Sequence, residues 1–152
     1  MAGMMRWAAL FGAVVGMSGA AMAAPPTDAC AVLTAAQVSA AVGTTVGEGK
    51  SMGPGMTHTC TWVAEGMIVT LMVQQDTKMF DATKSSNNPG IVRTPASGVG
   101  EDAFYIAVGT NDSLWVKKNG GSFKMSVYTK KISLDQAKAA EMKLAQQVAG
   151  KF

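Results

Sequence analysis

Two cysteines, Cys30 and Cys60, constrain this chain more than any other pair of residues, because the segment ahead of them decides their chemistry. Residues 1–6 carry one positive charge, residues 7–15 are almost all apolar, and Ala21-Met22-Ala23 puts small side chains where a signal peptidase reads. The pattern predicts a signal peptide over residues 1–23 and one domain over residues 24–152, periplasmic or secreted. A retained membrane anchor is the competing reading. Gly12, Gly16, Ser18 and Gly19 interrupt the segment and Pro25-Pro26 ends it, short of the roughly 20 apolar residues a spanning helix needs. The cleaved chain is therefore expected not to span a membrane. Cys30 is not expected to carry a lipid, since Thr27-Asp28-Ala29 and two prolines separate it from the apolar stretch. In an oxidising compartment, an even cysteine count without Cys-x-x-Cys spacing predicts one structural disulfide, Cys30 to Cys60. Two buried free thiols are the alternative. A bridge closing a loop of about 30 residues contributes roughly 3–4 kcal/mol in the chain-entropy account.

Removing residues 1–23 from the 152 leaves 129, and the loss of Arg6 leaves 12 basic against 10 acidic side chains, a balance of +2. A nucleic-acid binder would carry a far more basic domain, so no nucleic-acid partner is expected. A chain of this length buries about two thirds of its unfolded surface, enough for one core and a monomer.

Thr34-Ala35-Ala36-Gln37 has capping-box spacing and Gly43 supplies a left-handed stop, which predicts a helix over residues 35–42. Gly47, Gly49, Gly53, Pro54 and Gly55 then read as a short edge strand entering a loop. Strands follow over residues 57–64 and 67–74, joined at Glu65-Gly66. The second is apolar on both faces, as a central strand is. A helix over residues 77–84 is predicted with Asp76 as its cap. Residues 85–100, with Asn87-Asn88-Pro89-Gly90, Pro95, Gly98 and Gly100, lack periodicity and read as a long loop, either functional or disordered. Strands at 102–108, 113–118 and 122–129 form a meander, and Asn119-Gly120 is the strongest hairpin signal in the chain. A two-residue turn there pairs Val116 with Phe123 and Leu114 with Met125 on one face, and Trp115 with Lys124 and Lys117 with Ser122 on the other. Ser133-Leu134-Asp135-Gln136 is a second capping box, followed by a stripe of Leu134, Ala137, Leu144, Ala145 and Val148 that predicts a helix over residues 134–149. The order fits an α+β fold: an antiparallel sheet of five to six strands, two or three helices on one face, and one disulfide.

The sequences Asp28-Ala29-Cys30-Ala31-Val32-Leu33-Thr34, Cys60-Thr61-Trp62, Gly98-Val99-Gly100-Glu101-Asp102-Ala103-Phe104-Tyr105 and Leu114-Trp115-Val116-Lys117-Lys118-Asn119-Gly120 resemble small secreted and lipoprotein domains of unknown function in bacteria. The resemblance implies an α+β fold with this cysteine pair bridged and no established activity. It brings no catalytic residue, and the missing apolar box before Cys30 keeps a lipid anchor from being carried over.

Three candidate sites stand out. The outward hairpin face carries Trp115, Lys117 and Lys124, with Tyr128 further along, and aromatic area beside ammonium groups binds sugars, anions or protein surfaces. The competing reading makes Trp115 core, covered by the long loop or by the 57–74 strands. Met52, Met56 and His58 bring two thioethers and the only histidine together, a soft set that selects Cu(I). With 12 methionines in the chain, adaptable packing and a solvent-exposed His58 are the competing reading. Apart from this copper possibility no cofactor is expected. Gly47-Glu48-Gly49-Lys50-Ser51 ends like a phosphate loop, but the glycine it needs five positions before Gly49 is Thr44, and no helix follows. Trp62 reads as core against the disulfide, and Asn111-Asp112-Ser113 as a chance glycosylation match in an exported bacterial chain. Catalytic residues are expected to be none: consecutive Glu101 and Asp102 point to opposite faces of a strand, and no carboxylate pair or triad assembles from the spacing. The expectation is a non-enzymatic domain that binds an envelope protein or small ligand through the hairpin face or the 85–100 loop. Periplasmic copper binding and an uncharacterised hydrolase are the alternatives.

Overall fold

The computed structural model describes residues 23–56 and 58–152, so the expected signal segment lies outside the described residues except for Ala23. A short 3-10 helix, Ala29–Ala31, leads into α1 (Ala35–Val42), β1 (Lys50–Ser51), β2 (Thr59–Ala64), β3 (Met67–Gln74), α2 (Lys78–Ser85), β4 (Val92–Ala96), β5 (Asp102–Val108), β6 (Asn111–Lys118), β7 (Gly121–Thr129) and α3 (Leu134–Ala149). The strands form one antiparallel sheet in the order β1-β2-β3-β7-β6-β5-β4.

Both capping boxes form. Gln37 N–H donates to Thr34 Oγ1 at 3.2 Å and Thr34 N–H to Gln37 Oε1 at 2.9 Å, and Ser133 and Gln136 make the same pair of bonds. Each box satisfies backbone donors that a helix start leaves open. α2 begins without a side-chain cap at its N-cap Thr77. Asp76 instead accepts from Lys78 N–H at 3.0 Å. The Asn119-Gly120 turn takes positive φ at both residues, 48° and 76°, and the hairpin register is the expected one, Val116 with Phe123 and Trp115 with Lys124.

The strand count corrects the expectation: the sheet has seven strands. The additional one is β4, inside the segment expected to be a structureless loop. Its register sets Pro95 against Phe104 on the outer edge of the sheet, where a residue without an N–H does not break a ladder. Of that loop's glycine and proline signal, Pro95 lies in this edge strand and Pro89, Gly90, Gly98 and Gly100 flank it.

Alternation along the strands divides the sheet into two faces. Cys60, Trp62, Val69, Leu71, Leu114, Val116, Phe123 and Met125 point to the first face, which α3 covers over β6 and β7 with α1 beside it. Cys30 and Cys60 are joined, with Cα atoms 4.9 Å apart, and the bridge ties the 3-10 helix to β2. Gly49 lies against this joint. A Cβ there would come within 2.6 Å of Cys60 Sγ and 2.7 Å of Trp62 Nε1, so only glycine lets the chain pass. α2 lies on the second face, where Phe80 packs with Phe104, Ile106 and Trp115 as a separate small core.

Candidate functional site

α2 covers only one end of the second face, and its anchors are specific. Phe80 meets the Phe104 ring edge-on with centroids 5.0 Å apart. Lys117 Nζ lies 3.1 Å from Asp81 Oδ1 and over the Phe80 ring, Lys84 pairs with Asp102, and Arg93 Nε donates to the Thr83 carbonyl at 2.8 Å. The Thr77 hydroxyl and then Lys117 hold the Asp81 carboxyl below the usual carboxylate range, which keeps it ionised for the pair.

This arrangement divides the residues expected on the hairpin face. Trp115 is 6% exposed in one cluster with Phe80, so it belongs to the small core; α2 supplies Phe80 to that core, and Ile91 of the expected loop and Met72 of β3 pack against it. Lys117 is engaged with α2. Lys124 is half-buried with its ammonium 5.9 Å from the Trp115 ring centroid, and Tyr128 is 45% exposed. Tyr128 therefore stands on open surface with the half-buried Lys124 near it, while Trp115 is core and Lys117 is taken up by α2.

Beyond α2 no helix among the described residues covers the second face. Val63 on β2 and Ile68 on β3 are 56% and 42% exposed beside Tyr128, because the same alternation that buries Trp62 and Val69 turns these residues outward. Together with Lys130 and Lys131 they line a groove of about 490 Å³ at the β2–β3 turn. Tyr128 also borders a second cleft of about 300 Å³, lined by Ile106, Val108, Asn111, Lys124 and Ser126.

That second cleft exists because the sheet forks. The β6–β7 ladder ends at the Leu114–Met125 pair, after which β6 follows β5 to Asn111 and β7 follows β3 to Thr129. A carboxylate from α3 fills the fork on the first face. Val127 N–H, two residues past the last rung, donates to Glu141 Oε1 at 2.8 Å, and Glu141 is 0% exposed. Its other oxygen, Oε2, has no hydrogen-bond partner among the described residues. Asp112 on β6 sits at the same fork, with Oδ1 accepting from Ser113 N–H at 2.8 Å and Oδ2 3.0 Å from Lys138 Nζ. Burial pushes the Glu141 carboxyl up to about 8, and the Asp112 charge adds to the rise against the pull of Val127 N–H, Lys138 and Lys124. Burial, then the charges of Glu141 and Asp112, push Tyr105 up to about 12, so its hydroxyl stays protonated and donates to the Lys138 carbonyl at 3.2 Å. At neutral pH the fork thus holds Glu141 mostly as a neutral carboxyl, beside the Asp112–Lys138 pair.

Sequence reasoning passed over Glu141, although a signal was present. It follows Ala137 by four residues and precedes Ala145 by four, squarely on the apolar stripe of α3.

Met52, Met56 and His58 are all exposed around the turn after β1. Met56 N–H donates to the Gly53 carbonyl at 3.0 Å, and the His58 carbonyl accepts from Val73 N–H at 2.8 Å, which fastens the end of the loop to β3. Among the described residues no group of three or more His, Cys, Asp or Glu side chains is placed to hold a metal ion, and no helix is long and apolar enough to cross a membrane. Compared with protein-family models, curated proteins and solved structures, the chain has no match.

Proposed function

We propose that this chain is a non-enzymatic binding domain of the bacterial cell envelope, and that it takes its partner on the open half of the second sheet face, around Ile68, Lys124 and Tyr128. The observation that carries the reading is the one-ended cover: α2 is pinned over Trp115 and Phe104, while Val63, Ile68 and Tyr128 remain exposed side by side. Large apolar side chains in one exposed group, rimmed by polar residues, mark interaction surfaces. Tyrosine contributes ring area with little entropy to lose, and lysine stems add further apolar contact.

A photo-crosslinking side chain placed at position 68 or 128 of the exported protein is expected to give one discrete adduct in the cells that make it. The same side chain at Lys143, exposed on α3, is expected to give none. Equal labelling from all three positions, or none from any, refutes the reading.

Copper handling by Met52, Met56 and His58 is a second reading, favoured by two exposed thioethers and an exposed imidazole on one turn. Purified protein would then bind Cu(I), and His58→Ala or Met56→Ala would abolish uptake. Unchanged uptake in both variants removes this reading.

A further inference from the structure

The groove at the β2–β3 turn carries a charge pattern that narrows the kind of partner. Its apolar walls are Val63, Ile68 and the Tyr128 ring, and its rim holds Lys130 and Lys131. Among the described residues, the carboxylate that pairs at its rim is Glu65, which is almost fully exposed and 3.7 Å from Lys131 Nζ, a contact that water largely screens. Lys131 lies back over the turn, its Cε 2.9 Å from where a Gly66 side chain would begin, so its stem forms part of the wall while its ammonium stays at the rim. No acidic side chain among the described residues forms an ion pair with Lys130. Lys124 adds a further positive charge on the same face, beyond Tyr128.

We infer that this groove docks a segment of another protein in which an apolar side chain is flanked by carboxylates, the apolar group entering between Ile68 and Tyr128 and the carboxylates meeting Lys130 and Lys131. The inference rests on the proposed binding face and names its partner by chemistry. A second copy of this chain fits poorly, because face-to-face packing sets three lysines against three lysines. A bilayer surface is the other occupant a lysine rim would attract, and vesicle binding separates it from a peptide.

The test uses purified protein and short synthetic peptides in which one Leu or Phe stands between Asp residues, with matched peptides carrying Asn in place of Asp. The Asp peptides are expected to bind about tenfold more tightly at low salt, with the advantage shrinking several-fold as ionic strength rises. A double variant, K130E/K131E, is expected to reverse the preference toward Lys-flanked peptides while keeping the parent's unfolding temperature. Ile68→Gln, a second and independent surface change, is expected to weaken both peptide types. Equal binding of Asp and Asn peptides overturns the inference. So does self-association in sedimentation that K130E/K131E abolishes, and so does co-flotation with phosphatidylglycerol vesicles that Ile68→Gln abolishes. If crosslinks form at position 68 while the charge swap has no effect, the acidic partner is wrong and the binding face stands. If neither crosslinks nor peptide binding appear, both fall.

Discussion

Glu141 turns the fork of the sheet into a titrating element. Its carboxyl has an ordinary value of 4.5 and is held at about 8 in the folded chain, so the native state keeps a proton that the unfolded chain releases. The contribution of this group to stability is therefore fully present below about pH 4.5, is lost as pH rises to about 8, and is flat above that. Burial favours the neutral form, and the neighbouring Asp112 charge favours it further. Glu141→Gln keeps an acceptor for Val127 N–H and cannot ionise. It is expected to match the parent near pH 4 and to exceed it by about 2–4 kcal/mol near pH 9, as read from denaturant unfolding at both pH values. Equal pH slopes in parent and variant would show that Glu141 does not titrate in this range. At this scale the sequence was legible only in part. The spacing of Ala137, Leu144, Ala145 and Val148 names the buried side of α3, but a stripe read as apolar hides the one polar member it contains. Leu134, read as part of the same stripe, is exposed as the first residue of the helix. Trp62 is the opposite case: its place beside Cys60 correctly announces a core residue.

Among the elements, α2 decides which part of the second face is available. Phe80 is its one fully buried side chain, and the remaining contacts are partly exposed ion pairs and single hydrogen bonds of modest worth. Phe80→Ala is expected to cost about 3 kcal/mol and to loosen α2 from the sheet. In a Trp62→Phe background, Trp115 emission should then shift to longer wavelength and become accessible to acrylamide. A variant with the parent's emission would mean that α2 holds without Phe80. Element boundaries were legible wherever the signal is local: capping boxes mark α1 and α3, and Asn-Gly marks the β6–β7 turn with its register. Two things were not legible, and for one reason. β4 exists because β5 offers it an edge, and α2 lies on the second face because Phe104 and Trp115 await it there. Both depend on partners distant in sequence, so no local pattern in residues 77–100 announces them. Pro95 even argues against a strand until its position on the outer edge is known.

For the molecule as a whole, the Cys30–Cys60 bridge joins the amino-terminal segment to β2, next to the short edge strand β1. β1 has only two residues, and the bridge acts at this margin beside the buried Val46 and the Gly47 N–H bond to the Val63 carbonyl. Replacing both cysteines by serine is expected to lower stability by about 3 kcal/mol, seen as a fall in the denaturant midpoint, with the β6–β7 hairpin the last region to lose amide protection. Unchanged stability would show that the amino-terminal segment contributes nothing through this tether. The fold class followed from patterning that agrees across most of the chain, whereas the candidate groove needed the three-dimensional arrangement, since Val63, Ile68, Tyr128 and Lys131 meet only when β2, β3 and β7 are laid side by side.

The divergence of β6 and β7 also gives the molecule a mechanical direction. Tension drawing Asn111 away from Thr129 opens the pair one rung at a time, starting at Leu114–Met125 and running toward the tight turn. Tension drawn along the strands must instead shear every rung together. The β6–β7 pair is therefore weak when unzipped from the split and strong when sheared along its strands, an anisotropy set by where a single ladder stops.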